Sequence, residues 1–307
     1  MTDTRSLSVP EGLDGLRLDA ALSRLFGISR TVAVSVIENG GASVDGRVRG
    51  KSDRVLAGAT LEVVLPSPDR APAPTPEVVP GLRVVHEDDD LLVVDKPLGV
   101  AAHPSPGWEG PTVIGGLAAA GHRVSTSGSE ERQGVVHRLD VGTSGLMVVA
   151  KSERAYTVLK DAFRERTVDK RYHALVQGHP DPMSGTVDAP IDRHPTAAYR
   201  YAVVMGGRDS VTHYETIEAF RHATLLDIHL ETGRTHQIRV QFGEAGFPVL
   251  GDAVYGVPGP ISRQALHAER LCLELPSQRV DCRAPVPEDL LAALAALRQG
   301  QVGFRPG

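Results

Sequence analysis

Between Pro66 and Pro80 the chain reads PSPDRAPAPTPEVVP, six prolines in fifteen positions. Each proline removes a backbone donor and holds φ at about −65°, so neither a continuous helix nor a central strand can cross this stretch. Extended polyproline II backbone is the expectation. Single hydrophobic cores stop growing at roughly 250–300 residues, and this chain has 307. Residues 67–80 are therefore read as a linker between a small module at 1–66 and a larger domain at 81–307.

With 41% hydrophobic and 23% charged residues, the sequence has the make-up of a globular protein with a sizeable core. Aromatics amount to only 4%, so the core must be built from Val, Leu, Ile and Ala, and an aromatic in polar surroundings is conspicuous. A formal charge of −5 is not the basic balance most nucleic-acid binders show. Local balance differs: from Lys151 to Arg171 there are seven basic residues against four acids. That pattern fits a basic face, and it fits equally a solvated helix with i,i+4 pairs. Cys272 and Cys282 stand apart without a CxxC or a clustered histidine, so neither a disulfide framework nor a zinc site is expected. The N-terminus lacks a charged lead into an apolar segment, and no run of about 18 apolar residues occurs. A cytoplasmic monomer without membrane association is expected.

In the small module, Leu13 to Phe26 places Leu18, Ala21, Leu22 and Leu25 at helical spacing, with Asp19 early, where a helix favours an acid. Ser29 is a plausible N-cap for a second helix that stops at Asn39-Gly40. Short β pieces follow at Ala42 to Val44, Arg47 to Arg49 and Thr60 to Leu65, with Asp45-Gly46 as a hairpin turn. Eight basic and eight acidic residues leave residues 1–66 neutral.

The larger domain begins with a hairpin, Leu82–Val85 and Leu91–Val94, and a helix at Thr112 to Ala120. Residues Ser125 to Gln133 read as a surface loop. After an amphipathic helix at Glu153 to Phe163, Asp169 to Gln177 reads as a strand with Lys170, Tyr172 and Ala174 on one face. Strands at Ser184–Asp188, Ser210–Phe220 and Ala223–Glu231 lead to TGRTHQIR, where Thr235 is the expected N-cap of a helix through Phe242. His236 and Arg239 lie three apart on that helix. More strand at Ser262–Leu275 and Arg279–Arg283 precedes a last helix from Pro287 to Arg298. The fold class is therefore α+β, with a mixed, largely antiparallel central sheet and peripheral helices.

The residues richest in chemistry are GVVHRLDVGTSGLMVVAK, Gly134 to Lys151. An apolar lead delivers His137, Arg138, Leu139 and Asp140 to a small-residue turn, and a buried β run follows. A loop fixed by a buried strand is a good place to expose a reactive acid. The plainer alternative is that Asp140 only hydrogen-bonds the Thr143 and Ser144 amides of its turn.

HRLD, then RYHALV, then GRTHQIRV with FPVLGDAVYG, in that order, resemble the RluA/RluD family of pseudouridine synthases over nearly the whole chain. RLDAALSRLF and SRTVAVSVIENGGASVDGRVRGKSDRVLAGATLEV are similar to an S4-type RNA-binding domain. The resemblance implies isomerisation of uridines in structured RNA, large-subunit ribosomal RNA or a ribosome precursor foremost, without a cofactor or metal. It makes Asp140 the catalytic acid, as nucleophile or as base at the sugar. Burial favours a neutral acid, and a guanidinium beside it reverses that. Arg239 matches the family's partner for this role, although by itself it reads as a helix surface charge. Tyr172 matches the family's tyrosine, placed to stack on uracil or to help exchange a proton. Arg138, Lys151 and Arg234 are candidates to hold the RNA backbone, as are Arg30, Arg47, Arg49, Lys51 and Arg54 of the S4-like module. Two positions depart from the family's pattern, Gln241 after HQIRV and Ala101-Ala102 before His103, and both are expected to line or support the RNA side.

Rival readings are a non-catalytic RNA-binding or ribosome-assembly protein, a transfer-RNA pseudouridine synthase, and a nucleoside or glycoside hydrolase. The last usually needs a second carboxylate, and none stands out near Asp140 in the sequence.

Overall fold

The computed structural model describes residues 3–26, 30–65, 74–105, 107–197, 200–276 and 278–300. Two compact units divide the chain, Met1–Ala71 and Pro72–Gly307. Residues 66–73 and Ser29, the expected N-cap, lie outside the described residues. The second half of the proline stretch is not free linker. Glu77 donates its N–H to the Gly115 carbonyl at 3.2 Å, and Val79 is buried in the core of the second unit. An apolar seat for Val79 outweighs the tendency of a proline-rich segment to stay extended in water.

The first unit packs two helices, α1 (Leu18–Phe26) and α2 (Arg30–Glu38), on a four-stranded antiparallel sheet. Its strands are β1 (Asp3–Ser8), β2 (Ala42–Val44), β3 (Arg47–Val48) and β4 (Thr60–Leu65), in the order β1-β4-β2-β3. Helix α1 starts at Leu18 rather than Leu13, because Gly15 takes φ of +70° and ends a single 3-10 turn at Glu11–Leu13. Strand β1 was not expected. Its sequence, DTRSLS, carries one large apolar residue, and only pairing with β4 makes it a strand.

In the second unit a nine-stranded sheet runs in the order β5-β6-β7-β14-β8-β13-β12-β9, with β15 paired to β14 off that path. The strands are β5 (Arg83–Glu87), β6 (Leu91–Lys96), β7 (Ser144–Ala150), β8 (Asp169–Gln177), β9 (Ser184–Asp188), β12 (Val211–Ala219), β13 (Ala223–Leu230), β14 (Leu266–Leu275) and β15 (Gln278–Arg283). A two-stranded ribbon, β10 (Ile191–Arg193) and β11 (Tyr201–Val203), stands apart. The β7 and β14 pairing is parallel and the others are antiparallel, so the sheet is mixed and largely antiparallel as expected. The helices are α3 (Val113–Ala119), α4 (Glu153–Arg164), α5 (Gln237–Glu244) and α6 (Glu288–Arg298).

Strands β6 and β7 carry unbroken apolar runs, Leu91 to Val94 and Leu146 to Ala150, because both their faces are covered there. Leu92, Val94, Met147 and Val149 share a core with residues of α3, α5 and α6, while Leu91, Val93, Leu146 and Val148 pack with Ala155 and Leu159 of α4. Gly145 sits where β7 meets β14, at φ of +111°, and a Cβ there would overlap the Ala268 backbone. This close approach anchors the loop that carries Asp140.

Candidate active site

Asp140 lies in the loop between His137 and Thr143, at the point where the chain enters β7. Its backbone carbonyl accepts from Thr143 N–H at 3.0 Å, which closes the turn. The carboxylate points elsewhere. Arg239 Nη1 donates to its Oδ2 at 2.9 Å, across 99 residues of sequence.

Arg239 reaches that acid because it is clamped from the other edge. Asp252 accepts from its Nε at 2.6 Å and its Nη2 at 3.0 Å, a bidentate pair with planar specificity. Burial works against the charge of Asp252, yet Arg239 and the Val254 and Tyr255 amides hold its carboxyl below the usual range. The Tyr255 ring lies 5.0 Å from the guanidinium carbon. Arg239 is only 6% exposed, so its role as a helix surface charge is excluded by position. Sequence reading missed Asp252, although the FPVLGDAVYG segment that contains it is among the matched motifs.

His236 is the second group on the acid. Its Nε2 stands 3.8 Å from Asp140 Oδ1, and its Nδ1 is 2.9 Å from the Tyr255 hydroxyl. Tyr255 accepts from Tyr201 N–H at 2.8 Å. Its own proton is then free to go to Nδ1, an assignment that leaves the imidazole proton on Nε2, facing Asp140. Burial lowers the His236 pKa and keeps the ring neutral. The residue is the N-cap of α5 with φ of +58°, in the left-handed region. The expected cap, Thr235, gives way because the Gln237 side chain takes over the turn, accepting from Arg234 N–H at 2.9 Å and from the Thr232 hydroxyl at 2.8 Å.

A cavity opens on this acid. Tyr172 forms one wall from the middle of β8, with Leu139, Leu230, Ile238 and Leu266 supplying apolar surface and Arg138 and Arg234 at the rim. Burial, helped by the negative charge of Asp140, pushes the Tyr172 phenol well above its ordinary value, so it stays protonated.

The other sequence candidates separate. Arg138 is exposed and Arg234 donates Nε to the Asp209 carbonyl at 3.0 Å; both stay beside the cavity. Lys151 does not reach it. At the far end of β7 it pairs with Glu87 at 2.8 Å and donates to the Asp88 carbonyl, because strand alternation and length carry it away from Asp140. In the first unit Arg30 pairs with Asp19 at 2.8 Å, Lys51 with Glu38 at 2.7 Å, and Arg54 donates to the Gly15 carbonyl. Arg47 and Arg49 are exposed. The two departures do not line an RNA face. Gln241 is buried, accepting from the Thr212 hydroxyl and donating to the Ser210 and Ala189 carbonyls. Ala101 secures the start of α3 through Val113 N–H, and Ala102 is core.

One carboxylate, anchored by a buried guanidinium at a sheet-walled cavity, is the build of an enzyme that works through a single acid. Residues 90–244 match the RNA pseudouridylate synthase family. The chain is 57% identical to an uncharacterized RNA pseudouridine synthase of Mycobacterium bovis, over 96% of this chain and 98% of that protein. It is 40% identical to ribosomal large subunit pseudouridine synthase D of Nitrosomonas europaea, over 96% and 88%. Human RNA pseudouridylate synthase domain containing 1 superposes with a TM-score of 0.57 at 26% identity, covering 73% of this chain and 97% of that one. The chain belongs to the RNA pseudouridylate synthase family, in its RluA/RluD group, and is an RNA pseudouridine isomerase.

Proposed function

We propose that this enzyme isomerises uridines in large-subunit ribosomal RNA, with Asp140 acting on the ribose, Arg239 holding its charge in place and Tyr172 packing on the uracil. The observation that supports this most is the Asp252–Arg239–Asp140 chain, which runs from the core to the cavity. It aims one acid into the cavity that Tyr172 walls. The reaction detaches uracil from C1′ and rejoins it through C5, so atoms balance without a carrier. Asp140 serves either as nucleophile on the sugar or as the base that removes a sugar proton. His236, neutral and facing the acid, is a further donor at this point. A paired base must leave its stack to reach Asp140, at a cost of a few kcal/mol that is smallest in loops, so the target is a loop uridine. The choice of ribosomal RNA rests on relatives named ribosomal large subunit pseudouridine synthase D, 39–40% identical over 96–98% of this chain.

The first unit is read as an S4-like module that holds RNA through the exposed Arg47 and Arg49. Mapping pseudouridines in ribosomal and transfer RNA from cells with and without the gene tests the whole reading. One or more large-subunit positions should lose pseudouridine and regain it with wild type but not with Asp140→Asn. Loss confined to transfer RNA, or release of free uracil in vitro, rejects it.

A further inference from the structure

Beside the active-site cavity lies a second one, and the two share Arg138, Tyr172, Leu230, Gly233 and Arg234. His103, Arg132, Val135, Val136, His137, Phe163 and Lys170 line the rest of it, and among the described residues no Asp or Glu does. Burial lowers the pKa of both His103 and His137, so neither ring brings charge at neutral pH. The cations are the three arginines and Lys170.

Lys170 is the unusual one. It is 6% exposed, and among the described residues neither a hydrogen bond nor an ion pair within 4.0 Å reaches its amine. The amine lies 5.6 Å from the centre of the Phe163 ring. Asp169, next in the chain, is taken by Arg270 at 3.0 Å. The side chain is largely buried while its amine opens on the cavity; a partly desolvated ammonium without a hydrogen bond favours an anionic partner, and a cavity lined by cations is a seat for an anion. Lys170 and Tyr172 alternate on one face of β8, which puts their Cα atoms about 6.6 Å apart. A nucleotide whose base rests on Tyr172 therefore has its backbone within reach of Lys170.

We infer that the second cavity seats a phosphodiester next to the target uridine, with Lys170 as its principal cation. This rests on the neighbouring cavity being the uridine site. The seat orients the flipped nucleotide by its backbone and carries no sequence preference of its own.

The test uses the full-length enzyme and a stem-loop RNA around the mapped uridine. Lys170→Met should raise KM roughly ten- to a hundredfold with kcat little changed, the loss of one charged hydrogen bond. The slope of log binding constant against log salt should fall by about 0.7–0.9, one phosphate's share, and Lys170→Arg should restore it. A methylphosphonate at one position beside the uridine should weaken wild type as much as Lys170→Met does, and weaken Lys170→Met no further. The variant should melt at or above the wild-type temperature, since it loses a partnerless charge. An unchanged slope, a lowered melting temperature with RNA affinity intact, or an altered response to inorganic phosphate without any to the methylphosphonate would each overturn the inference. The slope is a binding measurement, so it decides this point even where turnover of the stem-loop contradicts the assigned reaction.

Discussion

Arg239 stands between two carboxylates of different standing: Asp252 is fully buried at the side chain, while Asp140 faces the cavity. Removing Asp140 and removing Arg239 itself should therefore have different consequences. Asp140→Asn leaves the bidentate pair intact and should abolish isomerisation, with folding stability within about 1 kcal/mol of wild type by urea titration. Arg239→Met strands Asp252 in the core and should cost about 3–5 kcal/mol of stability as well as activity, since a buried ion is left uncompensated. Tyr172→Phe should keep RNA binding and slow turnover if the hydroxyl takes part; equal turnover would restrict the ring to stacking. The raised phenol pKa means that Tyr172 itself should contribute no ionisation to the rate profile around neutral pH. Asp140, Tyr172 and Arg239 were legible in the sequence because motifs marked them. Asp252 and His236 were not given roles, because their meetings with Arg239 and Asp140 exist only once the chain has folded.

At the scale of elements, the end of β6 supports the loop that carries Asp140. Lys96 is fully buried and donates to the Pro97 and Val100 carbonyls at 3.0 and 2.8 Å, bracing a turn whose Gly99 N–H donates to Val141 beside the acid. Burial pulls its pKa from 10.5 to about 7 despite the attraction of Asp140. Between those values the unfolded chain holds a proton that the folded chain does not, so stability from this group rises with pH from about 7 to 10.5. Lys96→Met should lack that rise, and the urea midpoints of the two proteins should diverge as pH increases. The opposite sign applies at Asp19 in α1, held at about 2 by Arg17 and, against its burial, also by Arg30. Its contribution is present above about pH 4 and fades as pH falls toward 2, and acid titration of Asp19→Asn should be flatter there. The strand β8 was legible to the residue from its alternation. Strand β1 was not, because six residues with one large apolar side chain carry no signal until β4 supplies their hydrogen bonds.

At the scale of the molecule, each unit has its own hydrophobic core, one around Leu18, Leu22, Leu61 and Val63 and the other around the large sheet. If the first unit holds RNA through exposed charge, replacing both Arg47 and Arg49 by Glu should weaken binding of ribosomal RNA and flatten its salt dependence by about 0.7–0.9 per lost contact, while leaving the melting temperature of the protein unchanged. The α+β class, the largely antiparallel sheet and the ordering of the motifs were all open to reading from the sequence, because local periodicity and turn chemistry act over a few residues. Tertiary structure alone decided which charges meet. Lys151, close to Asp140 in sequence, goes to Glu87 at the far end of β7, whereas Arg239, 99 residues away, goes to the acid. The fold likewise sets Lys170 at the second cavity over the Phe163 ring, with no hydrogen bond or ion pair to its amine among the described residues. The reason is geometric: a strand carries neighbours apart at about 3.3 Å per residue, and strand pairing and the packing of helices on the sheet decide which distant side chains come within hydrogen-bond reach.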